Sequence, residues 1–109
     1  MNSRNEFSNY IQELLSPLGD IQLGKFFGGT ALRCDGIQFC MIMKNRLYFR
    51  VSKNNLASYL NYDSHPFSYL TKKGRVNVKS YYEVPADILD DQECLLSWAQ
   101  QAVTASQSK

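Results

Sequence analysis

The chain has 109 residues, a length that fits one globular domain and leaves no room for a second. Its net charge of +2 is well below that of proteins that bind nucleic acid mainly through charge. The sequence lacks the apolar runs of a signal peptide or a membrane span. We therefore expect one cytoplasmic domain over residues 1–109 that makes no membrane contact, with a polar tail that frays from about residue 104.

The first predicted element is an amphipathic helix. Ser3 and Glu6 have the spacing of a capping box, and apolar residues then recur at helical intervals from Phe7 onward. Pro17 and Gly19 are typical of a helix end, so the helix should stop near them.

Apolar and polar residues then alternate with a period of two, which predicts four antiparallel strands in a meander. The strands are expected at 21–27, 30–34, 37–43 and 46–51, joined by Asp35-Gly36, by Lys44-Asn45 and by the Gly28-Gly29 pair. That pair has neither GxxxxGK[ST] nor GxGxxG spacing. We therefore interpret Gly28 and Gly29 as turn or bulge residues, with a phosphate loop as the alternative.

Four further elements follow the meander. Ser52 is a candidate cap for a short helix, and two strands are predicted at 67–70 and 75–84. Asp90 begins a second capping signal, ahead of a closing helix with an apolar stripe. The predicted fold is α+β: a curved antiparallel sheet of about six strands, a meander plus a later hairpin, with the amino- and carboxy-terminal helices packed on one face.

Few side chains suggest catalysis. The single histidine, His65, lies beside a proline in a predicted loop, and no Ser, Cys or second histidine is placed to suggest a triad or a metal site. The acidic residues near the closing helix are interpreted as helix-terminal charges. Cys34, Cys40 and Cys94 lack CxxC spacing and are interpreted as reduced core thiols, with a redox switch as the alternative. No enzyme activity, catalytic residue, cofactor or metal is expected.

One surface is a candidate partner site. If Leu47, Phe49 and Val51 face the helices, the alternate residues of that strand and of the last strand form a basic and aromatic face. Such a face suits a protein partner, a second copy in a homodimer, or plain exposure to solvent, and its rings and cations also suit weak contact with nucleic acid. The candidate residues are Arg46, Tyr48, Arg50, Lys72, Lys73, Arg75, Lys79 and Tyr81.

Five stretches occur in order along the chain: LLSPLG, KFFGGTALRCDGIQF, RLYFRVS, FSYLTKKGRVNVKSYYEVP and LLSWAQQA. In this combination they resemble, nearly end to end, the amino-terminal domain of the TfoX/Sxy regulators of natural competence. The chain departs from the family's usual R-x-MFGG pattern, because Gly24-Lys25-Phe26-Phe27 precedes Gly28. Many members of the family also carry a second, helical domain, so the chain resembles the stand-alone members or a fragment.

The resemblance implies a non-enzymatic regulatory domain that acts in the transcription of DNA-uptake genes. It also implies a protein partner in the transcription machinery, such as the cyclic-AMP receptor protein. It supplies no catalytic residue. The alternative function is direct binding of nucleic acid by the basic and aromatic face.

Overall fold

The structure, a computed structural model, describes residues 3–107, with side chains from residue 6 onward. Its helices are α1 (Ser3–Leu14), α2 (Leu56–Asn61), α3 (Ala86–Leu89) and α4 (Gln92–Gln107), and a 3-10 turn (Ser16–Leu18) follows α1. Its strands are β1 (Ile21–Phe26), β2 (Gly29–Cys34), β3 (Ile37–Met43), β4 (Arg46–Arg50), β5 (Pro66–Thr71) and β6 (Gly74–Glu83).

The six strands form one open antiparallel sheet in the order β1-β2-β3-β4-β6-β5. Strands β1 to β4 are a meander, and the β5–β6 hairpin joins it through pairing of β6 with β4. The predicted α+β class, with six antiparallel strands and a helix at each end, is confirmed. Among the helices of residues 3–107, none is both long enough and apolar enough to cross a membrane.

The hairpin turns of the meander depend on positive φ angles. Asp35-Gly36 has φ angles of 53° and 82°, and Lys44-Asn45 has 53° and 62°, which confirms both predicted turns. Phe27-Gly28 has 46° and 80° and joins β1 to β2. The double glycine therefore belongs to a strand–turn–strand unit. The interpretation of Gly28 as a turn residue is confirmed, whereas Gly29 is the first residue of β2 and lies outside the turn.

Helices α1 and α4 pack on one face of the sheet and enclose the main core. Leu47, Phe49 and Val51 lie in this core, as the alternation in β4 predicts. In α1, Ile11 is fully buried but Tyr10 is 52% exposed, so its buried stripe is narrower than predicted. The proposed cap at Ser3 rests on a side chain outside the described ones.

Helix α4 contributes the predicted apolar stripe but begins differently. Leu95 and Ala99 are fully buried. Asp91, and not the predicted Asp90, accepts a hydrogen bond from the backbone N–H of Cys94, at 3.2 Å. The helix continues through Gln107, so the tail that was predicted to fray from about residue 104 is helical as far as that residue.

A β-bulge in β3 changes which side chains face the helices. Leu32 pairs with Cys40 and Arg33 pairs with Gln38, which leaves Phe39 as an extra residue without a counterpart on β2. Phe39 and Cys40 therefore both lie in the main core. Met41 and Met43 face the opposite side of the sheet. Strict alternation predicts that both lie on the same side as Phe39.

Helix α2 begins later than predicted and positions a buried tyrosine. The Ser52 hydroxyl accepts a hydrogen bond from the backbone N–H of Asn54 at 3.3 Å, within the turn before the helix, and does not cap it. Tyr59 on α2 is 1% exposed, and its ring lies 4.6 Å from that of Trp98. Burial raises the pKa of its hydroxyl, and this hydroxyl has no hydrogen-bond partner among the described residues.

Replacing Tyr59 with phenylalanine is expected to raise the free energy of unfolding by about 1 kcal/mol. The ring is retained, whereas a buried hydroxyl without a partner costs about 1–3 kcal/mol. Denaturant unfolding measures the change. Tyr62→Phe is the matched control, since Tyr62 also contacts Trp98 but is 46% exposed and should change stability by less than about 0.5 kcal/mol. A loss of stability in Tyr59→Phe would contradict the prediction.

Candidate partner-binding face

The sheet face opposite the helices, which we call the open face, carries its own apolar cluster. Its buried members are Met41, Tyr48 and Tyr81, and its partly buried members are Phe26, Met43, Phe67 and Val78. All of them belong to strands. We call this set the second cluster. A sheet face that meets water usually carries polar side chains, so a buried apolar cluster here distinguishes the open face from an ordinary solvated surface.

Four of the candidate residues are brought together on the open face by the pairing of β4 with β6. Arg50 pairs with Tyr81, and Tyr48 pairs with Glu83. The guanidinium carbon of Arg50 lies 5.6 Å from the centre of the Tyr81 ring, in cation–π geometry. Nη1 of Arg46 lies 3.1 Å from Oε1 of Glu83.

The two tyrosines of this group are buried and do not project. Tyr48 is 8% exposed and packs edge-on against Phe67, with ring centres 5.3 Å apart. Tyr81 is 6% exposed and lies beneath Arg50. Burial, with a smaller contribution from the Glu83 carboxylate, raises the pKa of the Tyr48 hydroxyl, which Arg46 partly offsets. Neither ring offers an open surface on which a base can stack.

Arg75 lies on the other face of the sheet, so the prediction that it shares a face with Tyr48 is wrong. Its Nη1 donates a hydrogen bond to Ser68 Oγ at 2.8 Å, and Ser68 alternates with Phe67, which contacts Tyr48. The cause is an irregular pairing in β6. Val78 pairs with Phe67, but the next paired residue on β6 is Tyr82, opposite Pro66. The residues between them have no counterpart on β5, and regular alternation is lost.

The remaining candidates are the three lysines, two of which lie away from this group at the end of the β5–β6 hairpin. Lys72 and Lys73 form the exposed turn of the β5–β6 hairpin, where the backbone N–H of Lys73 donates to Thr71 Oγ1 at 3.2 Å. Lys79 is exposed within the irregular part of β6. The hairpin end also exposes apolar side chains, with Leu70 71% exposed.

Sequence reasoning missed two polar residues of the open face, Arg33 and Gln38. Arg33 Nη2 donates to Gln38 Oε1 at 3.5 Å, and Gln38 Nε2 donates to the Tyr81 hydroxyl at 3.2 Å. The result is a chain of contacts from Arg33 through Gln38 and Tyr81 to Arg50, which we call the arginine cluster. The alternation of Arg33 with the apolar residues Leu32 and Cys34 was the signal that places it on this face.

Both arginines of the cluster are partly buried, and neither has an ion-pair partner among residues 6–107. The acidic residue placed with them on the open face is Glu83, and its carboxylate is already paired with Arg46. Partly buried guanidinium groups normally meet a carboxylate or another acceptor. The arginine cluster therefore presents positive charge that the described chain does not neutralise.

The three cysteines are free. Cys34 and Cys40 are buried in the main core, as predicted, whereas Cys94 is only partly buried at its edge. Burial raises the pKa of Cys40, and burial together with Asp35 and Asp20 raises that of Cys34. A raised pKa keeps a thiol protonated and unreactive, which is the opposite of what a redox sensor requires.

The side chains considered for catalysis do not assemble into a group. His65 is exposed, and the adjacent Ser64 donates its hydroxyl to the backbone carbonyl of Glu83. Within residues 6–107, the structure contains no group of three or more His, Cys, Asp or Glu side chains placed to hold a metal ion.

Comparison with known protein families agrees with this architecture. The model of the TfoX N-terminal domain matches residues 13–106, which is most of the chain. The chain belongs to the TfoX N-terminal domain family. No curated protein matches it. In this TfoX N-terminal domain, the matched range includes all six strands and therefore both the second cluster and the arginine cluster.

Proposed function

We propose that this chain is a non-enzymatic regulatory module that acts on the transcription of DNA-uptake genes through a protein partner bound to its open face. Membership of the TfoX N-terminal domain family supports a competence-related regulatory role. The observation that carries the proposal is the open face itself. It combines a buried apolar cluster with two guanidinium groups that lack an ion-pair partner among the described residues.

These properties are those of a protein-binding surface. Protein interfaces combine a desolvated apolar centre with hot-spot residues, among which Arg and Tyr are enriched. A component of the transcription machinery, such as the cyclic-AMP receptor protein, is the partner that the family resemblance suggests. The module would then act in the cytoplasm.

Reversing the charge of Arg50 tests the proposal. Arg50→Glu should abolish expression of a reporter driven by a DNA-uptake promoter, in cells that depend on this protein for activation. Truncation of an interface hot spot costs at least about 2 kcal/mol of binding, and charge reversal adds repulsion. Arg46 is the weaker choice, because Arg46→Glu would place two carboxylates together at Glu83.

Lys53→Glu is the matched control, since it makes the same change of charge at an exposed residue of the turn after β4. Lys53→Glu should unfold within a few degrees of the wild type, as exposed substitutions usually change stability by less than about 0.5 kcal/mol. Arg50 is partly buried, so the folding of Arg50→Glu is first checked by thermal unfolding. Wild-type reporter output from a folded Arg50→Glu protein would refute the assignment of the open face.

Direct binding of nucleic acid is the second candidate, and the exposed basic turn at Lys72 and Lys73 favours it. A salt titration of DNA binding distinguishes the two candidate functions. Phosphate contacts give a steep linear fall of log K with log salt concentration, whereas a module that binds only protein leaves DNA unbound at every salt concentration.

A further inference from the structure

The groups that the arginine cluster leaves available to a ligand are hydrogen-bond donors. Gln38 Oε1 is occupied by Arg33, and the oxygen of Tyr81 accepts from Gln38, so the Tyr81 hydroxyl proton is left to donate elsewhere. The guanidinium groups of Arg33 and Arg50 carry only donors. A ligand that completes this group must therefore supply acceptor oxygens and negative charge.

The second cluster lies directly beside these donors. Tyr81 belongs to both groups, and Tyr48 is two residues from Arg50 on the same face of β4. Tyr48 has apolar neighbours on both sides, Met41 on the adjacent strand β3 and Phe67 on β5. A ligand that spans both parts has an anionic group at one end and an apolar group at the other.

Charge and ring geometry favour a polypeptide over a nucleic acid as this ligand. Binding of single strands depends on exposed aromatic rings, but Tyr48 and Tyr81 are 8% and 6% exposed. A continuous phosphate backbone along β4 would also approach Glu83, which lies opposite Tyr48. A protein segment places its carboxylates singly and avoids that repulsion.

We propose that the arginine cluster binds a carboxylate side chain of an acidic segment of the partner protein, while a neighbouring apolar side chain of the same segment packs on the second cluster. The proposal rests on the function proposed above and names the chemistry of the partner. Guanidinium groups bind carboxylates through paired, planar hydrogen bonds. Met41 is only 1% exposed, so the apolar contact falls to the partly buried members of the second cluster, above all Phe67 beside Tyr48. Gln38 acts as a positioning residue, because it holds Arg33 and Tyr81 in one group.

The test uses a capped, fluorescently labelled peptide of alternating glutamate and leucine, and a second peptide with glutamine in place of every glutamate. Fluorescence anisotropy at low salt measures binding of each to the full chain. The glutamate peptide should bind at least about tenfold more tightly, as expected from the loss of one charged hydrogen bond. Equal affinity of the two peptides, or no binding of either, would overturn the proposal.

Variants locate the site. Arg33→Gln and Arg50→Gln should each weaken binding of the glutamate peptide by at least about tenfold, whereas Lys53→Gln, which removes one exposed charge elsewhere, should leave it unchanged. Because Arg33 is partly buried, its variant is first checked for folding. If that variant does not fold, the site is located from the changes in amide chemical shift when the glutamate peptide is added to the wild-type protein. Changes concentrated at residues 33, 38, 50 and 81 support the site, and changes elsewhere refute it.

Competition with a single-stranded oligonucleotide of equal charge distinguishes the other class of ligand. Stronger binding of the oligonucleotide at the same site would overturn the proposal in favour of nucleic acid.

The reporter assay separates failure of this inference from failure of the proposed function. Lost reporter output in Arg50→Glu without peptide binding by the wild type would refute only the acidic segment. Peptide binding by the wild type with unchanged reporter output in Arg50→Glu would refute only the role of the open face in regulation.

Discussion

Replacing Gly29 with valine is expected to lower the free energy of unfolding by about 3 kcal/mol or more, at the upper end of what overpacking costs. Gly29 is the first residue of β2 and has no positive φ, so the reason is steric. A Cβ atom there would overlap the backbone carbonyl oxygen of Ile42 and the sulfur of Met43. A backbone atom of a paired strand cannot move aside as the end of a side chain can.

The preceding residue provides the comparison. A Cβ atom on Gly28 would meet nothing within 4 Å, but the φ angle there is 80°. Gly28→Val should therefore cost only the strain of that backbone conformation, about 1–3 kcal/mol. Gly28→Asn should cost less, because Asn tolerates positive φ. Denaturant unfolding of the three variants checks the order, and a Gly29→Val protein as stable as the wild type would exclude the steric explanation.

Replacing Phe49 with alanine should lower the free energy of unfolding by about 3–5 kcal/mol, the usual cost of a large aromatic truncation in a core. Phe49 is fully buried, and its ring centre lies 6.0 Å from that of Phe39 on the neighbouring strand. Since small domains have only about 5–15 kcal/mol of stability in total, this variant should be close to unfolding at room temperature. Thermal and denaturant unfolding measure the loss.

Phe27→Ala is the control for Phe49→Ala, because it removes the same atoms from a side chain that is 84% exposed. Among the aromatic pairs of the described chain, Phe27 takes part in one, an edge-to-face contact with Phe26. Its truncation should change stability by less than about 1 kcal/mol. Similar losses in the two variants would contradict the assignment of the main core to the helix-covered face.

Local patterns predicted the elements of this fold well. The period of two located four meander strands, because each strand is short and ends at a turn such as Asp35-Gly36 or Lys44-Asn45. The order of strands in the sheet depends on β6 pairing with β4, a long-range contact that no local pattern encodes. The capping residue of α4 lies one position later than predicted: Asp90 has the capping-box spacing to Glu93, but the backbone N–H of Cys94 donates to Asp91.

The candidate site was predicted only in part, for a similar reason. Assigning side chains to a face by alternation succeeds in β4, where Arg50 and Tyr48 share the open face. It fails in β6, because an irregular pairing separates Arg75 from Tyr81. It also cannot show that Arg33 and Gln38 of two other strands meet Tyr81, which depends on the three-dimensional arrangement.

The bulge at Phe39 lets β3 place two consecutive side chains in the main core without turning over the rest of the strand. Gln38 and Met41 both lie on the open face, although residues three positions apart in a regular strand face opposite sides. Deleting Phe39 would leave Leu32 opposite Cys40 and Arg33 opposite Gln38 in regular alternation. Gln38 and Met41 would then keep their faces, and the main core would lose one aromatic ring. Among relatives of this domain, the loss of one residue at this point is therefore compatible with an unchanged open face.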